Sequence, residues 1–447
     1  MILWLAACTP MLDAEELRDP QACAECHPDH VAEWEGSMHA HASDDPVFRA
    51  MNAKGQRETN GELGDFCVNC HAPLAVALGE ATDAVDDLPP ELRGVTCAFC
   101  HQVDAVEGDH GNPLRLADDG VLRGGIRDPV ENQAHASTWS PLHDRDAPES
   151  SSMCGSCHDI VTPLGGHIER TYAEWQRSLF AKPAFGLSCG DCHMRGREGV
   201  AAEADDVKLR RVHEHTFPGV DVALIDWPDR DRQRQQIQDL LDDTVNAWLC
   251  VSPTADGTTL VVGTLENVAS GHFFPSGATA DRRVWAEVHA YEGEREVWAS
   301  GDIAPDVPVA DAPDPSLWRM WSTLLDADGN PTHDFWEAAS LEPGVLLPVQ
   351  TTIDPNDPTY VSTHLQHEWL VTNAVPDRIT MQINVRPVGL DILDELVESG
   401  DLDRSVRDAM PTFTLGSTVL EWRLGTPQNA GSLSCVPDAP PVVAAPE

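Results

Sequence analysis

Cys23-Ala24-Glu25-Cys26-His27 is the first of five stretches that share one pattern, two cysteines separated by two residues and followed directly by a histidine. The other four, numbered motifs 2 to 5 in chain order, are Cys67-Val68-Asn69-Cys70-His71, Cys97-Ala98-Phe99-Cys100-His101, Cys154-Gly155-Ser156-Cys157-His158 and Cys189-Gly190-Asp191-Cys192-His193. Together they use ten of the 13 cysteines in the chain. The motifs therefore decide which class of fold the sequence can adopt.

The spacing within each motif suits the covalent attachment of haem. Two thiols one helical turn apart can form thioether bonds to the two vinyl groups of one porphyrin, and the following histidine can bind the iron as proximal ligand. Zinc sites pair their Cys-x-x-Cys units, and a thioredoxin-like redox site expects a single copy. We therefore predict five covalent haem c groups, each holding an iron. The predicted haem-binding cysteines are Cys23, Cys26, Cys67, Cys70, Cys97, Cys100, Cys154, Cys157, Cys189 and Cys192, and the proximal ligands are His27, His71, His101, His158 and His193.

Charge and hydropathy exclude several classes of function. The chain of 447 residues carries 29 basic and 74 acidic side chains, a net charge of −45. Such a charge excludes electrostatic binding to nucleic acid or to anionic lipid headgroups. No apolar stretch approaches the roughly 20 residues of a membrane helix. Haem propionates would make the N-terminal half still more acidic, so we expect a cationic or salt-bridged redox partner.

The first eight residues predict export and a lipid anchor. Leu5-Ala6-Ala7-Cys8 resembles a bacterial lipoprotein box, although no basic segment precedes it and the apolar run is short. We interpret residues 1–8 as the remnant of a lipoprotein-type signal, with lipid on Cys8; the alternative is that Cys8 is simply a small residue in a shortened signal. Because haem c is attached after export, we expect the periplasm or the outer membrane surface, with residues 9–22 as a tether.

Composition divides the rest of the chain into two regions. Residues 23–220 hold all five motifs, and sparse apolar residues with frequent Gly, Pro and Asp predict an α-helical, loop-rich multihaem cytochrome c domain. Residues 221–247 predict a helical connector, with the helix over about 229–247. Residues 248–435 predict an all-β sandwich, and residues 436–447, rich in Pro and Ala, a disordered tail.

Four stretches of strand length support the β-domain, and they are Thr259–Leu265, Arg283–Tyr291, Ile379–Val385 and Val419–Leu424. The segment around 302–377 between them predicts a long irregular insertion. Cys250 and Cys435 bracket the domain, and outside the cytoplasm a disulfide between them is expected.

A nine-residue sequence repeat, here called the echo, indicates a candidate for a sixth iron ligand. Ala32-Glu33-Trp34-Glu35-Gly36-Ser37-Met38-His39-Ala40 recurs as Ala173-Glu174-Trp175-Gln176-Arg177-Ser178-Leu179-Phe180-Ala181. Phe180 replaces His39, and an apolar ring cannot bind iron, so we expect the second copy to be structural. His39 is therefore the first candidate for a distal ligand, with His41 as its competitor.

The motifs in combination resemble the multihaem cytochrome c family, which contains the tetrahaem carrier serving hydroxylamine oxidoreductase. The resemblance rests on C-x-x-C-H followed by W-x-x-S-x-H, then on C-x-x-C-H-x-P and C-x-x-C-H-M, and it covers roughly residues 23–219. In such proteins an isolated histidine between motifs often serves as distal ligand. The resemblance therefore implies His39, His135 and His215 as distal ligands, with His143 and His213 as weaker candidates.

A further histidine follows from a loop after the haem region. Gly271-His272-Phe273-Phe274-Pro275-Ser276-Gly277 resembles a G-H-x-x-P-[ST]-G loop of similar chains. This resemblance implies that His272 could reach back onto a haem, and the alternative is an ordinary turn histidine.

The sequence departs from the enzymes of related architecture. Pentahaem nitrite reductases replace one motif histidine by lysine, and hydroxylamine oxidoreductases carry eight haems and a crosslinking tyrosine. All five motifs here keep histidine, and the chain has only three tyrosines. Neither activity is implied by the motifs.

Three functions remain open at this stage. The first is electron transfer through five haems, mostly with two histidine ligands each, to or from a redox partner protein or a quinol-linked donor or acceptor. The second is a reductase or oxidoreductase of a small nitrogen or sulfur compound at one five-coordinate haem; the net charge disfavours an anionic substrate unless a local arginine cluster attracts it. The third is a surface assembly protein in which the β-domain docks a partner. We predict no catalytic residue, and an electron carrier rather than an enzyme.

Overall fold

The fold was analysed in a computed structural model that describes residues 12–80, 85–254, 256–425 and 429–431. The chain folds into two compact units. The first, here named the motif unit, comprises Met1–His158, Pro183–Pro218 and Asp226–Gln233. The second, the sheet unit, comprises Asp159–Lys182, Gly219–Ile225 and Arg234–Glu447. Both units are discontinuous, whereas the sequence predicted contiguous domains with a boundary near residue 220.

The motif unit is built from short helices and two-stranded sheets. Its helices are α1 Pro20–Ala24, α2 Pro28–Glu35, α3 Met38–His41, α4 Pro46–Glu58, α5 Val68–His71, α6 Pro73–Leu78, α7 Cys97–Gln102, α8 Ser151–Gly155 and α10 Cys189–His193. Its strands are β1 Val103–Val106, β2 Leu114–Leu116, β3 Val121–Gly124, β4 Ala136–Trp139, β7 Gly196–Gly199 and β8 Arg210–His213. The pairs are β1 with β2, β3 with β4 in parallel, and β7 with β8. This architecture confirms the predicted helical, loop-rich region.

Local sequence signals set the helix boundaries in the motif unit. Proline at the first helical position begins α1, α2, α4 and α6, where its missing N–H costs nothing. The side chains of Asp19, Ser37 and Asp45 accept hydrogen bonds from backbone N–H groups in the first turns of α1, α3 and α4. These helix-starting signals follow one another closely along the chain. Among the described residues of the motif unit, the longest helix is therefore α4, with 13 residues.

The sheet unit contains two larger antiparallel sheets. Its strands are β5 Ile160–Val161, β6 His167–Glu169, β9 Val245–Pro253, β10 Thr259–Asn267, β11 Arg283–Glu292, β12 Arg295–Ser300, β13 Arg319–Met320, β14 Thr323–Leu325, β15 Pro331–Thr332, β16 Ser340–Glu342, β17 His364–Val371, β18 Arg378–Arg386, β19 Phe413–Thr414, β20 Leu420–Arg423 and β21 Asn429–Gly431. One sheet has the order β17-β10-β9-β21, and the other the order β12-β11-β18-β19, with β13 on β11 and β20 on β18. The four predicted strands are confirmed as β10, β11, β18 and β20.

Helices also belong to the sheet unit, namely α9 Thr171–Arg177, the larger part of α11 Arg230–Asp242, α12 Leu390–Glu398 and α13 Arg404–Asp408. The helix predicted over about 229–247 is confirmed as α11, but it ends at Asp242 and β9 begins at Val245. The prediction of an all-β region is wrong because α12 buries Leu390, Ile392, Leu393 and Leu396 along one face.

Two further predictions need correction. The prediction of an irregular insertion over 302–377 is wrong near its C-terminal end, because β17 pairs there with β10 over eight consecutive residues. The prediction of a tether over 9–22 is wrong from residue 16 onward, since Glu16–Arg18 forms a 3₁₀ turn with Leu17 buried.

The three remaining predictions fall at the ends of the chain. Cys250 on β9 forms a disulfide, but its predicted partner Cys435 lies outside the described residues. The predicted tail over 436–447 and the predicted signal remnant with Cys8 also lie outside them.

Candidate haem sites

Each motif folds into about one helical turn, as covalent haem attachment requires. In motif 1 the His27 N–H donates to the Cys23 carbonyl at 2.8 Å, and in motif 4 the His158 N–H donates to the Cys154 carbonyl at 3.1 Å. Motif 5 is α10, which begins with a reciprocal capping box between Ser188 and Asp191. Its thiols and histidine thus lie one turn apart on a helix fixed at its N-terminus.

Four of the five motif histidines present Nδ1 to a backbone carbonyl. The distances are 2.6 Å from His27 to Ala201, 2.9 Å from His71 to Ala42, 2.5 Å from His101 to Arg123 and 2.7 Å from His193 to Pro218. Metal-binding histidines characteristically donate their second ring N–H to such an acceptor, which fixes the ring and its tautomer. If these histidines bind iron, this arrangement would make Nε2 the ligand nitrogen.

Three motif histidines lie opposite the histidines predicted as distal ligands. The ring centroids are 6.2 Å apart for His27 and His135, 6.3 Å for His101 and His215, and 6.4 Å for His39 and His158. Two imidazoles on opposite sides of one metal should have centroids about 6.2 Å apart, given metal–nitrogen bonds of about 2.0 Å and about 1.1 Å from nitrogen to ring centre. The described residues therefore fit three irons with two histidine ligands each.

His30 also lies 6.3 Å from His27, but it cannot serve as the opposite ligand. His27 directly precedes α2 and His30 lies on its first turn. Side chains three apart on a helix are separated by only about 5–6 Å at Cβ, so a porphyrin cannot be inserted between them.

His39 is half-buried, and neighbouring segments of the motif unit fix its backbone. The His39 carbonyl accepts from the Val95 N–H at 2.8 Å, and the indole N–H of Trp34 donates to the Val95 carbonyl at 2.8 Å. Gly94, with φ +70°, allows this close approach, since a Cβ there would collide with the Ala40 carbonyl. Burial, together with the nearby motif histidines, lowers the pKa of His39 to about 3. The imidazole is therefore neutral, as an iron ligand must be.

The competitor His41 lies elsewhere. It is fully buried with its ring 4.2 Å from that of Trp227, and its Nε2 is 3.9 Å from a carboxylate oxygen of Asp45. The structure thus brings His39, and not His41, opposite a motif histidine.

Glu33 positions His215 and was missed as a functional residue. Its carboxylate accepts from the His215 N–H at 3.0 Å, while His215 Nδ1 lies 3.0 Å from the His213 carbonyl. His30 Nδ1 is 3.4 Å from the same Glu33 oxygen, and Arg197 Nε is 3.3 Å from the other. These contacts lower the pKa of Glu33 to about 2 despite burial, which by itself raises it. The sequence did contain a sign that Glu33 has a structural role, because the echo repeats this residue as Glu174.

The weaker candidates do not match the three pairs. The His143 ring is 5.7 Å from that of His101, but its Nε2 lies 2.8 Å from the Cys100 carbonyl. His213 contributes its carbonyl to the His215 ring and is half-buried.

His135, by contrast, belongs to one of the three pairs. The side chain of Asn132 accepts a hydrogen bond from the His135 backbone N–H at 2.9 Å.

His272 lies in the sheet unit, on a loop fixed by the second copy of the echo. Glu174 accepts from the Phe273 N–H at 3.1 Å and from the Ser276 hydroxyl at 2.7 Å. His272 Nδ1 is 2.8 Å from the Phe273 carbonyl. The second copy is structural, as predicted, and iron binding by His272 stays a prediction.

Thiols of different motifs approach one another, which the sequence did not reveal. Cys23 lies near Cys97, Cys70 near Cys157, and Cys154 near Cys189, close enough for the thiols of each pair to shift each other's pKa. Cys100 lies close enough to Cys154 and Cys157 to raise the pKa of both. Motif 4 therefore adjoins motifs 2, 3 and 5, and motif 3 adjoins motif 1.

Comparisons with known proteins agree with this geometry. Residues 22–102 match the family model described as cytochrome c554 and c-prime. The fold is similar to that of a penta-heme cytochrome c552 from Thermochromatium tepidum, with a TM-score of 0.65 and 17% identity, over 91% of this chain and 100% of that chain. A search of curated proteins found no match. In the described residues no helix is long and apolar enough to cross a membrane.

These matches support the prediction from the motifs, a multihaem cytochrome c with covalently bound haem. The relation to the carrier of hydroxylamine oxidoreductase is not shown by either match.

Proposed function

We propose that this chain is an exported electron-transfer protein that carries five haem c groups, three of them with two histidine ligands. The supporting observation is the set of three imidazole pairs, His27 with His135, His101 with His215 and His158 with His39, each at the separation that one iron requires. When bound, haem c supplies one-electron Fe(III)/Fe(II) chemistry, and a second histidine closes the iron to substrates.

The contacts between motif thiols support a continuous electron path. When haem is attached, each thiol would bond to the edge of its own porphyrin, so neighbouring thiols of different motifs would bring the edges of two haems together. The proposed order is motif 1 to motif 3 to motif 4, with branches from motif 4 to motifs 2 and 5. Motif 4 is then the point through which the branches communicate.

The chain's own residues orient the ligands and keep them neutral. Backbone carbonyls fix the rings of His27, His71, His101 and His193, and Glu33 fixes the backbone of His215. Burial lowers the pKa of His39 and of His215 to about 3 each. These residues therefore hold the ligand nitrogens unprotonated over the physiological pH range.

The proposal includes location, partner and the second domain. Covalent haem and the Cys250 disulfide support export to the periplasm or outer surface, with lipid on Cys8 as the anchor and a redox protein or quinol-linked donor or acceptor as partner. A sandwich of the two larger sheets is supported by Met381 of β18, whose sulfur would meet a Cβ on Gly263 of β10 at 2.9 Å.

Haem counting and electron paramagnetic resonance test the function. A pyridine haemochrome assay should give five haems per chain, and the oxidised protein should show low-spin signals from at least three. A different haem count, or high-spin signals from more than two haems, would contradict the proposal. A high-spin haem that also turns over nitrite or hydroxylamine would favour the reductase instead.

A further inference from the structure

The loop that follows β8 contains a residue with an unusual backbone conformation. Among the described residues, six non-glycine residues have a positive φ. Five of them are of the two types that tolerate this region, namely Asn60, Asn112, Asp206, Asp229 and Asn373. The sixth is Phe217, with φ +43°. It also precedes a proline, and residues in that position favour extended backbone with a negative φ. A bulky side chain therefore occupies a conformation that glycine would adopt without strain.

Hydrogen bonds fix the backbone on both sides of Phe217. Before it, the His215 N–H donates to the Glu33 carboxylate at 3.0 Å. After it, the Pro218 carbonyl lies 2.7 Å from Nδ1 of His193. Strained residues persist where the surrounding structure over-determines their conformation, and they cluster at functional sites. The strain at Phe217 therefore points to a role for its side chain.

The Phe217 ring contacts two of the proposed distal ligands. Its centroid is 4.4 Å from that of His39, at an interplanar angle of 54°. It is 5.8 Å from that of His215, edge-on at 86°. Aromatic rings attract each other in offset and edge-to-face arrangements. Phe217 therefore restrains two imidazoles that, in the proposed pairs, lie opposite His158 and His101.

The residue after Phe217 extends this arrangement to a third motif. The Pro218 carbonyl fixes the ring of His193, the proximal ligand predicted for motif 5. Motifs 3 and 5 both adjoin motif 4 through their thiols. The dipeptide Phe217-Pro218 thus contacts one proposed ligand from each of the haems of motifs 3, 4 and 5.

We propose that Phe217 is a positioning residue that orients the distal imidazoles of His39 and His215 at once, on the haems of motifs 4 and 3. This inference rests on the proposed electron-transfer function and names a residue that acts on two neighbouring haems of the path. The ring binds no iron. It limits the rotation of both imidazoles and keeps them in place against competing ligands, as outer partners of metal ligands do.

A second phenylalanine beside a motif histidine shows what packing alone looks like. The Phe48 ring stacks on that of His71 at 4.1 Å, but Phe48 lies on the regular helix α4 and is buried in an apolar cluster. Burial of apolar area is sufficient to account for Phe48. Phe217 is only half-buried and carries backbone strain, so burial of its ring does not account for it.

Electron paramagnetic resonance of the full haem-loaded, oxidised chain tests this role. Rotation of an axial ring shifts the g values of a low-spin haem, so Phe217→Ala should shift the signals of two haems per chain. These should be the two signals that His39→Ala and His215→Ala each remove. Phe217→Gly accepts the positive φ and lacks the ring, so it should fold and show the same two shifts. Phe217→Tyr keeps the ring and should retain the wild-type signals.

Cyanide binding provides a second readout. Cyanide competes with an axial imidazole for Fe(III) without a change of oxidation state, so an imidazole that is held less firmly should be displaced more readily. In Phe217→Ala and Phe217→Gly the cyanide affinity of the same two haems should rise about tenfold or more. The control Phe185→Ala removes a ring that is 46% exposed in the same unit, and its affinities should stay within about twofold of the wild type.

Several outcomes would overturn the inference. Unchanged signals and cyanide affinities in Phe217→Ala would leave the ring as a space filler, and a change at a single haem would exclude shared positioning. Wild-type signals in Phe217→Gly would assign the effect of alanine to the backbone instead of the ring. All three results are compatible with electron transfer, whereas loss of haem or of reversible reduction in the wild type would contradict the electron-transfer function itself.

Discussion

The motif unit and the sheet unit obtain their folds in different ways. The sheet unit holds most of the buried apolar side chains and long antiparallel registers, such as the nine residue pairs between β10 and β9. The motif unit has short helices, two-stranded sheets and few buried apolar residues besides a cluster around Phe48, Leu74 and Phe99. We therefore expect the proposed porphyrins to complete the core of the motif unit, whereas the sheet unit has an extensive core of its own side chains.

Removal of haem should have the largest effect on this comparison. A chain produced without haem attachment should lose amide exchange protection across the motif unit, including α4, because ligand binding and folding are coupled there. Strands β9, β10, β11 and β18 should keep their protection. Hydrogen exchange followed by mass spectrometry measures both units in one sample, and a protected α4 in the apo chain would show that the comparison is wrong.

A core substitution in the sheet unit should have the converse effect. Leu265 on β10 is fully buried, so Leu265→Ala should lower the free energy of unfolding of this unit by about 2–5 kcal/mol. Leu370 on the neighbouring strand β17 is 61% exposed, so Leu370→Ala should change it by less than about 0.5 kcal/mol. Thermal unfolding followed by circular dichroism gives the difference, and the haem spectrum should not change. Equal effects of the two substitutions would contradict the proposed core.

Loss of the Glu33 carboxylate should destabilise the motif unit more moderately. Glu33→Ala leaves the His215 N–H without its acceptor, which should cost about 1–3 kcal/mol. Asp29 lies on the same helix, pairs with the same Arg197 and is exposed, so Asp29→Ala should cost at most about 1 kcal/mol. Denaturant unfolding monitored at the haem absorption band measures both variants. If Asp29→Ala costs as much as Glu33→Ala, then Glu33 acts only as an ion-pair partner.

The smallest expected effect is a pH dependence in the sheet unit. Glu287, and next to it Glu296, raise the pKa of His289 to about 9 against the opposing effect of burial. Because the pKa is raised in the folded state, the stabilisation is complete below the unfolded pKa near 6.5 and is lost as pH rises towards 9. Solvent screening limits the effect to about 1 kcal/mol or less.

His289→Gln should abolish this pH dependence. Chemical unfolding of the sheet unit at pH 6 and pH 9.5 tests it, and a wild type that is more stable at the higher pH would contradict the sign.

The sequence correctly predicted the strands of the sheet unit in which apolar and polar residues alternate clearly. It missed elements whose pattern is less regular. β10, β11, β18 and β20 followed from their apolar pattern. β17 was missed because His367 occupies a position between Leu365 and Trp369 on the same face, which hides the period of two. α12 was missed although Leu390, Leu393 and Leu396 show helical spacing.

The motif unit was predictable in its chemistry but not in its arrangement. The spacing within each motif follows from local covalent chemistry, so the haem-binding residues could be named. His27 and His135 are separated by more than one hundred residues, and the loops between them carry no periodic signal. The pairing of ligands, the contacts between thiols and the role of Glu33 therefore needed the structure.

The most direct measurement is electron paramagnetic resonance of the oxidised protein with each proposed distal ligand replaced in turn. His39→Ala, His135→Ala and His215→Ala should each convert one haem per chain from low spin to high spin, while His143→Ala should convert none. A haem count of five in every variant keeps attachment separate from ligation. Unchanged low-spin signals in His39→Ala, or a new high-spin haem in His143→Ala, would contradict the proposed ligand pairs.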